Sequence, residues 1–215
     1  MYAFEVEREF VPFTAFGARG RELMRIFGMS LDGLRRKAVR LRLSLTLEPG
    51  QICCITGPSG AGKSTLLDAM YAQTPAAERV RVEAIALESE AAMIDCIDGP
   101  LAETLPRLTR AGLSDVPCLL RPPATLSDGQ KWRYRLARAM MSGKRIVFAD
   151  EFCASLDAVT ALVIAYHLRR TADRTGCVFV LAGCREDVLA ELRPEVIVTA
   201  GGRQVEVVSQ INNNQ

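Results

Sequence analysis

The chain has 215 residues, of which 49% are hydrophobic and 24% charged, with a formal net charge of +2. That length and apolar content suit one α/β domain with a sizeable core, and so small a net charge excludes any argument for nucleic-acid binding from composition alone. No apolar run nears the length that spans a bilayer, and Met1 to Arg8 lacks a signal-peptide apolar region, so the expectation is a cytoplasmic protein with no membrane insertion of its own. The seven cysteines are odd in number, form no C-x-x-C pair and lie mostly in apolar runs, which reads as reduced core thiols. A single histidine and no paired cysteine spacing speak against a structural zinc site.

In chain order, residues 2–11 read as a strand and residues 18–29 as a short helix ending near Gly28. Val39–Leu47 alternates apolar and polar residues, the pattern of a strand with one buried face. The basic run Arg35-Arg36-Lys37, with Arg40 and Arg42, reads as a solvated face, with nucleic-acid phosphates as the alternative contact. After the turn Glu48-Pro49-Gly50 come a buried strand, Gln51–Thr56, and a helix through Leu66–Met70.

Between that strand and helix lies Gly57-Pro58-Ser59-Gly60-Ala61-Gly62-Lys63-Ser64-Thr65, which fits G-x-x-x-x-G-K-[ST]. Glycines let backbone N–H groups turn inward around phosphate oxygens, and the start of a helix presents its positive end to the same anion. Lys63 is placed to reach terminal phosphates and Ser64 to ligate magnesium. The chain has four Lys among its 27 Lys and Arg residues, so a lysine here departs from its default cation.

Farther on, Arg79–Leu87 and Ala92–Ile97 read as strands and Pro100–Arg110 as a helix. Residues 117–125, with three prolines, read as irregular. Helix 128–142, strand 145–149, helix 157–173, strand 177–182 and helix 185–192 follow, then a strand pair, 196–199 and 204–208, around Gly201-Gly202. The polar tail 211–215 reads as disordered.

Two further stretches carry chemistry. Ile146–Ala149 is an apolar strand delivering Asp150 and Glu151 to the sheet edge where α/β folds bind ligands. Asp150 there can hold magnesium, and Glu151 can polarise a water in line with a terminal phosphate. Leu126-Ser127-Asp128-Gly129-Gln130 opens a helix with Ser127 as N-cap and Gly129 leaving amides accessible, a second anion site.

Taken together these stretches resemble the ABC-type ATPases. Gly57–Thr65 is similar to Walker A, Leu126–Gln130 to the signature L-S-G-G-Q with Asp128 for its first Gly, and Ile146–Glu151 to Walker B with its catalytic Glu. Ala154-Ser155-Leu156-Asp157 is similar to the D-loop, and Val196–Val198 with Gly201-Gly202 to the closing hairpin. The resemblance spans about residues 39 to 208. It implies one domain over 1–210: a P-loop NTPase with a mostly parallel core sheet, an N-terminal antiparallel part over 1–50 and a reduced helical region over 98–142. It also implies a head-to-tail homodimer with ATP and Mg2+ between the Walker A of one copy and Ser127, Gly129 and Gln130 of the other. Lys63, Glu151, Asp157 and Arg185 form the implied catalytic set, and Ser64 and Asp150 the metal set.

Three departures stand out. The family's switch histidine is missing; Cys184 holds its place after strand 177–182, and Arg185 is the candidate substitute. His167, the chain's one histidine, falls inside a helix and reads as a packing or surface residue. No Q-loop glutamine follows Ala92–Ile97, where Asp95 or Asp98 stands instead, and the interval from Lys63 to Ser127 is short for a transporter subunit. Phe27, with Phe16 behind it, is the candidate adenine-stacking aromatic, a core phenylalanine being the alternative. More narrowly, residues 126–135 and 149–157, with Phe152-Cys153, resemble ABC-type ATPases fused to acetyltransferase (GNAT) domains. The function expected is a soluble ATPase acting by ATP-driven dimerisation on a macromolecular partner, an acetyltransferase among them. The alternatives are the ATP-binding subunit of a membrane transporter and a nucleotide-binding module with little hydrolysis.

Overall fold

The computed structural model describes residues 1–10, 16–31, 39–87, 90–201 and 205–209. The Arg35–Lys37 cluster, Gly202 and the tail 211–215 lie outside them. Two strands, β1 (Tyr2–Phe10) and β2 (Val39–Leu47), pair antiparallel. Their alternation is as read: Phe4, Val6, Leu41, Leu43, Leu45 and Leu47 are buried, while Arg42 and Glu7 pair on the exposed face.

The main sheet has six strands: β3 (Ile52–Thr56), β4 (Arg79–Arg81), β5 (Ile146–Ala149), β6 (Val178–Ala182), β7 (Val196–Ala200) and β8 (Val205–Ser209). Their order is β4-β5-β6-β3-β7-β8, parallel throughout except for β8, which runs antiparallel to β7. Because both sheet faces are covered, β5 and β6 are buried at every residue, and β3 at every residue but the last.

Among the described residues, the helices include α1 (Ala18–Ile26), α2 (Lys63–Gln73), α3 (Leu101–Arg110), α4 (Val116–Leu119), α5 (Asp128–Met141), α6 (Ala158–Thr175) and α7 (Glu186–Leu192). One face of the sheet packs on α2 and the β1–β2 pair, and the other on α5, α6 and α7. A third apolar cluster, with Met93, Leu108, Leu119, Leu126 and Tyr134, joins α3 and α4 to α5.

Three local expectations are corrected. The strand expected over 79–87 ends at Arg81, and Val82–Ala84 forms a 3-10 turn. Its neighbour β5 ends at Ala149, and the Asp150 N–H beyond it bonds the Glu83 side chain at 2.9 Å, so the ladder closes there. The strand expected over 92–97 is a 3-10 turn, Met93–Cys96. Met93 is fully buried in the third cluster and donates its N–H to Arg121 O at 2.8 Å instead of to a strand. Within the segment read as irregular, Val116–Leu119 makes one helical turn. Pro117 is tolerated in a first turn, whose N–H groups have no helical partner, and Asp115 caps it by accepting from Cys118 N at 3.1 Å.

Candidate nucleotide site

β3 lies inside the sheet between β6 and β7, so its carboxyl end opens at the centre of the ligand-binding edge. The chain leaves that end through glycines that no other residue could replace without a shift. Gly57 has φ 131°, and a Cβ on it would stand 2.2 Å from the Ala200 carbonyl oxygen. Gly62 has φ 94°, and a Cβ there would meet Leu41 Cδ1 at 2.8 Å. Gly62 is also the N-cap of α2 and offers no side chain to the first amides of that helix, which leaves them available to an anion. The Lys63 ammonium crosses the loop, donating to the carbonyls of Gly57 and Pro58 at 2.9 Å each. Ser64, the next residue, is exposed in the first turn of α2.

Asp150 and Glu151 leave the end of β5, with β6 between that strand and β3. The Asp150 carboxylate is fixed on two sides. Its Oδ1 accepts from Glu151 N at 3.0 Å, and its Oδ2 lies 3.6 Å from the Arg81 guanidinium. Arg81 also pairs with Glu83 at 3.2 Å and with Asp68 of α2. Sequence reading missed Arg81, Glu83 and Asp68. The strand beside β5 is β4, so the polar residue that follows that strand at this edge is Glu83, not Asp95 or Asp98. A charged Arg81 and Glu83 alternating with Val80 and Val82 was the available signal.

Glu151 is exposed and has φ 47°, a left-handed conformation that costs on the order of 1–3 kcal/mol for a non-glycine residue. The surroundings enforce it. Phe152 N donates to Ala182 O at 2.9 Å, and Gly183 packs so closely that a Cβ there would lie 3.3 Å from Glu151 Cα.

The start of α5 carries a complete capping box. Gln130 N donates to Ser127 Oγ at 3.3 Å, and Ser127 N donates to Gln130 Oε1 at 3.0 Å. Arg133 clasps Gly129 O at 3.2 Å and Gly112 O at 2.6 Å. Gly129 faces the D-loop: a Cβ there would come within 3.2 Å of Leu156 Cδ2 and 3.3 Å of Ser155 O. Asp157 is the N-cap of α6 and accepts from Thr160 N at 2.9 Å. Hydrogen bonds from Thr160, the backbone one first, hold its carboxyl below the usual range.

After β6, Arg185 bonds Asp187 through Nε at 3.1 Å and NH2 at 2.9 Å, and its NH1 donates to Leu156 O at 3.3 Å. Its guanidinium is therefore tied to the D-loop. Cys184 lies beside it, with its Sγ 3.6 Å from that of Cys54 on β3. Phe27 is 69% exposed at the end of α1, which removes the core reading for it, and Phe16 packs against Gly20.

A protein-family model described as "ABC transporter" matches residues 41–99. The aliphatic sulfonates import ATP-binding protein SsuB 1 of Frankia alni is 32% identical over 203 residues, covering 86% of this chain and 72% of that protein. This chain belongs to the ABC-type ATPase family. The phosphonates import ATP-binding protein PhnC of Hyphomonas neptunium is 28% identical, covering 76% of this chain and 78% of the relative. The methionine import ATP-binding protein MetN of Xanthomonas oryzae is 29% identical, and this ABC-type ATPase spans 63% of its length. Among solved structures, the dimeric post-hydrolysis ATP-binding cassette MJ0796 bound to ADP and Pi has a TM-score of 0.67 at 18% identity, over 96% of this chain and 97% of that one. A bacterial Atm1-family exporter with ATP bound has a TM-score of 0.62 at 22% identity, over 79% of this chain and 35% of that one. At such identities these likenesses speak to the fold.

ABC-type ATPases bind ATP with Mg2+ and hydrolyse it, and the donors present suit both. Free helix-terminal amides and an ammonium suit phosphates, while an exposed hydroxyl and a fixed carboxylate are hard oxygen ligands of the kind magnesium takes. Among the described residues, no helix is long and apolar enough to cross a membrane.

Proposed function

We propose that this ABC-type ATPase is the ATP-binding subunit of a membrane importer, closing head to tail on a second copy around two ATP molecules. One observation carries the reading. The relatives that match along most of this chain are themselves named as import ATP-binding proteins. The site's geometry supports the chemistry. Residues 57–65 and the start of α2 cradle the phosphates, Ser64 and Asp150 hold Mg2+, and the strained Glu151 positions the attacking water. Ser127, Gly129 and Gln130 of the second copy complete the site from the γ-phosphate side, where a helix N-terminus stabilises developing charge. Asp157 holds the turn between the two half-sites, and Arg185, which follows Cys184 at the switch position, reports through Leu156.

The exposed apolar residues Leu101 and Leu105 on α3 and Val116 and Leu120 around α4 supply a surface for the membrane subunit. The decisive experiment is co-purification with the Glu151→Gln variant, ATP and detergent-extracted membranes. A multi-span protein retained with ATP and released without it supports the importer reading; its absence refutes it.

A second reading, a soluble ATPase acting on a macromolecular partner such as an acetyltransferase, rests on a different observation. Residues 126–135 and 149–157, which carry that narrower resemblance, are packed together: Trp132 and Phe152 meet edge to face with ring centres 5.5 Å apart. Retention of a soluble acetyltransferase in the same experiment, with no membrane protein, favours that reading.

A further inference from the structure

The amino half of α6 borders the nucleotide edge, and its carboxyl half does not. Seventeen residues separate Asp157 from Arg174, about 25 Å of helix. At that far end, α3, α5 and α6 border two adjoining cavities open to solvent, of about 250 and 360 Å³. The first is lined by Arg110 from α3 and by His167, Arg170 and Arg174 from α6, the last three on one helix face at i, i+3 and i+7. The second shares Arg110, Thr171 and Thr175 with it and adds Met140 and Met141. Among the described residues, no carboxylate lines either cavity.

This charge has no acidic counterpart among the described residues that line the cavities. Arg42, Arg81, Arg107, Arg169 and Arg185 each pair with an acid. Arg110, Arg170 and Arg174 have no acidic partner among the described residues. The acid nearest to them along α6, Asp173, is held by Arg169 at 2.7 Å. Thr171 and Thr175 donate their hydroxyls to carbonyls of their own helix at 2.8 and 2.7 Å, and Arg170 NH1 donates to Tyr166 Oη at 2.6 Å, which leaves the other guanidinium N–H groups and the imidazole to a ligand. His167 is held below its ordinary pKa by burial and then by Arg110 and Arg170.

We propose that the two cavities form a binding site for an organic phosphate monoester, its phosphate among Arg110, His167, Arg170 and Arg174 and its apolar body against Met140 and Met141. Guanidinium forks match phosphate oxygens two at a time, and a dianion suits three converging cations better than a single carboxylate does. The concave shape suits a small ligand, where a strand of nucleic acid would need an open stripe.

The test uses untagged protein carrying Lys63→Ala, which removes phosphate binding at residues 57–65. With one histidine in the chain, the His167 imidazole gives a single NMR signal to follow. Inorganic phosphate is expected to shift it saturably and to raise its titration midpoint by about one unit, since an anion relieves the repulsion from the arginines. Phenyl phosphate is expected to bind about tenfold more tightly than inorganic phosphate, because it also covers the methionines. Adding Arg110→Ala and Arg174→Ala, both at exposed positions, is expected to abolish these shifts. In the otherwise wild-type chain those two substitutions leave ATPase activity unchanged. Absence of a saturable shift up to about 10 mM phosphate, or equal affinity in the arginine variant, would overturn the site. Equal affinity for the two phosphates would overturn the apolar half. Tighter binding of an oligothymidylate without terminal phosphates than of phenyl phosphate would overturn the small-ligand assignment in favour of nucleic acid.

Discussion

Replacing Arg169 by Met tests the account of how β3 is held. Arg169 is 5% exposed. Its NH1 donates to both carboxylate oxygens of Glu195 at 2.9 and 3.1 Å, and its NH2 donates to Gly50 O at 2.5 Å and pairs with Asp173 at 2.7 Å. Glu195 in turn accepts from Ile52 N at 2.8 Å, the first amide of β3. The substitution keeps most of the packed stem but leaves Glu195 and Gly50 O without their donor. Breaking a buried pair in this way costs about 3–5 kcal/mol, and a chain of this size loses roughly 2–4 °C in Tm per kcal/mol, so the melting temperature should fall by about 6–20 °C. The Asp173 contact adds little, being 57% exposed on the acid's side. Calorimetry and a double-mutant cycle with Glu195→Met check this. The double variant should lose less than the sum of the singles, since the carboxylate left without its cation is gone and the groups still unpaired are the Ile52 amide and Gly50 O. β3 spans five residues, about 17 Å, so ATP affinity of the folded variant should be unchanged at low temperature. A loss below about 1 kcal/mol, or strictly additive singles, would refute the reasoning.

The other expectations bear on the nucleotide site. Lys63→Ala should abolish ATP binding measured by calorimetry while leaving Tm nearly unchanged, because Lys63 contacts only loop carbonyls. Gly57→Ala should unfold the loop or the sheet edge rather than weaken ATP binding alone, since its Cβ would overlap the Ala200 carbonyl; a folded variant with wild-type affinity would contradict the geometry. Glu151→Gln should give an ATP-dependent dimer by size exclusion with light scattering, and a variant that stays monomeric with ATP would count against the two-copy site. Asp157→Ala should lower Tm at pH 7 by removing the α6 cap. The folded-state pKa of Asp157 is lowered, so its contribution is present above the ordinary carboxylate value and lost as pH falls through the lowered one. The gap between variant and wild type should therefore close below about pH 4.

What was legible in the sequence follows the range of the interactions involved. The nine residues from Gly57 to Thr65, the alternation in Val39–Leu47 and the Ser127–Gln130 cap are specified within a few neighbours, and each is found as read. The strand wrongly extended to Leu87 failed because its end is set by where β5 stops, at Ala149, 68 positions after Arg81. Arg169 and Glu195 carry no signal in the sequence because their partnership depends on helix α6 meeting the start of β3 and β7. Arg81 and Glu83 were overlooked for the same reason. Their importance comes from lying beside Asp150, a neighbour that only the β4–β5 pairing supplies.

The motifs read separately also turn out to share one residue. Leu156, buried to 9% exposure, touches the signature through its side chain, where a Cβ on Gly129 would meet Cδ2 at 3.2 Å. Its carbonyl accepts from Arg185, the residue following the position where the family keeps its switch histidine, at 3.3 Å. Its N–H donates to Cys153 O at 3.1 Å, two residues past Glu151. A displacement of the turn 153–156 is therefore expected to move the helix start proposed to face a second copy, the arginine after β6 and the backbone that strains Glu151 together. Such contiguous packing carries coupling between sites without any long relay. Arg185→Lys keeps the charge but loses the planar fork that reaches both Asp187 and Leu156 O. If the D-loop carries the coupling, this substitution should weaken the ATP dependence of dimerisation as well as hydrolysis. A variant that slows hydrolysis while pairing normally with ATP would confine Arg185 to the chemical step.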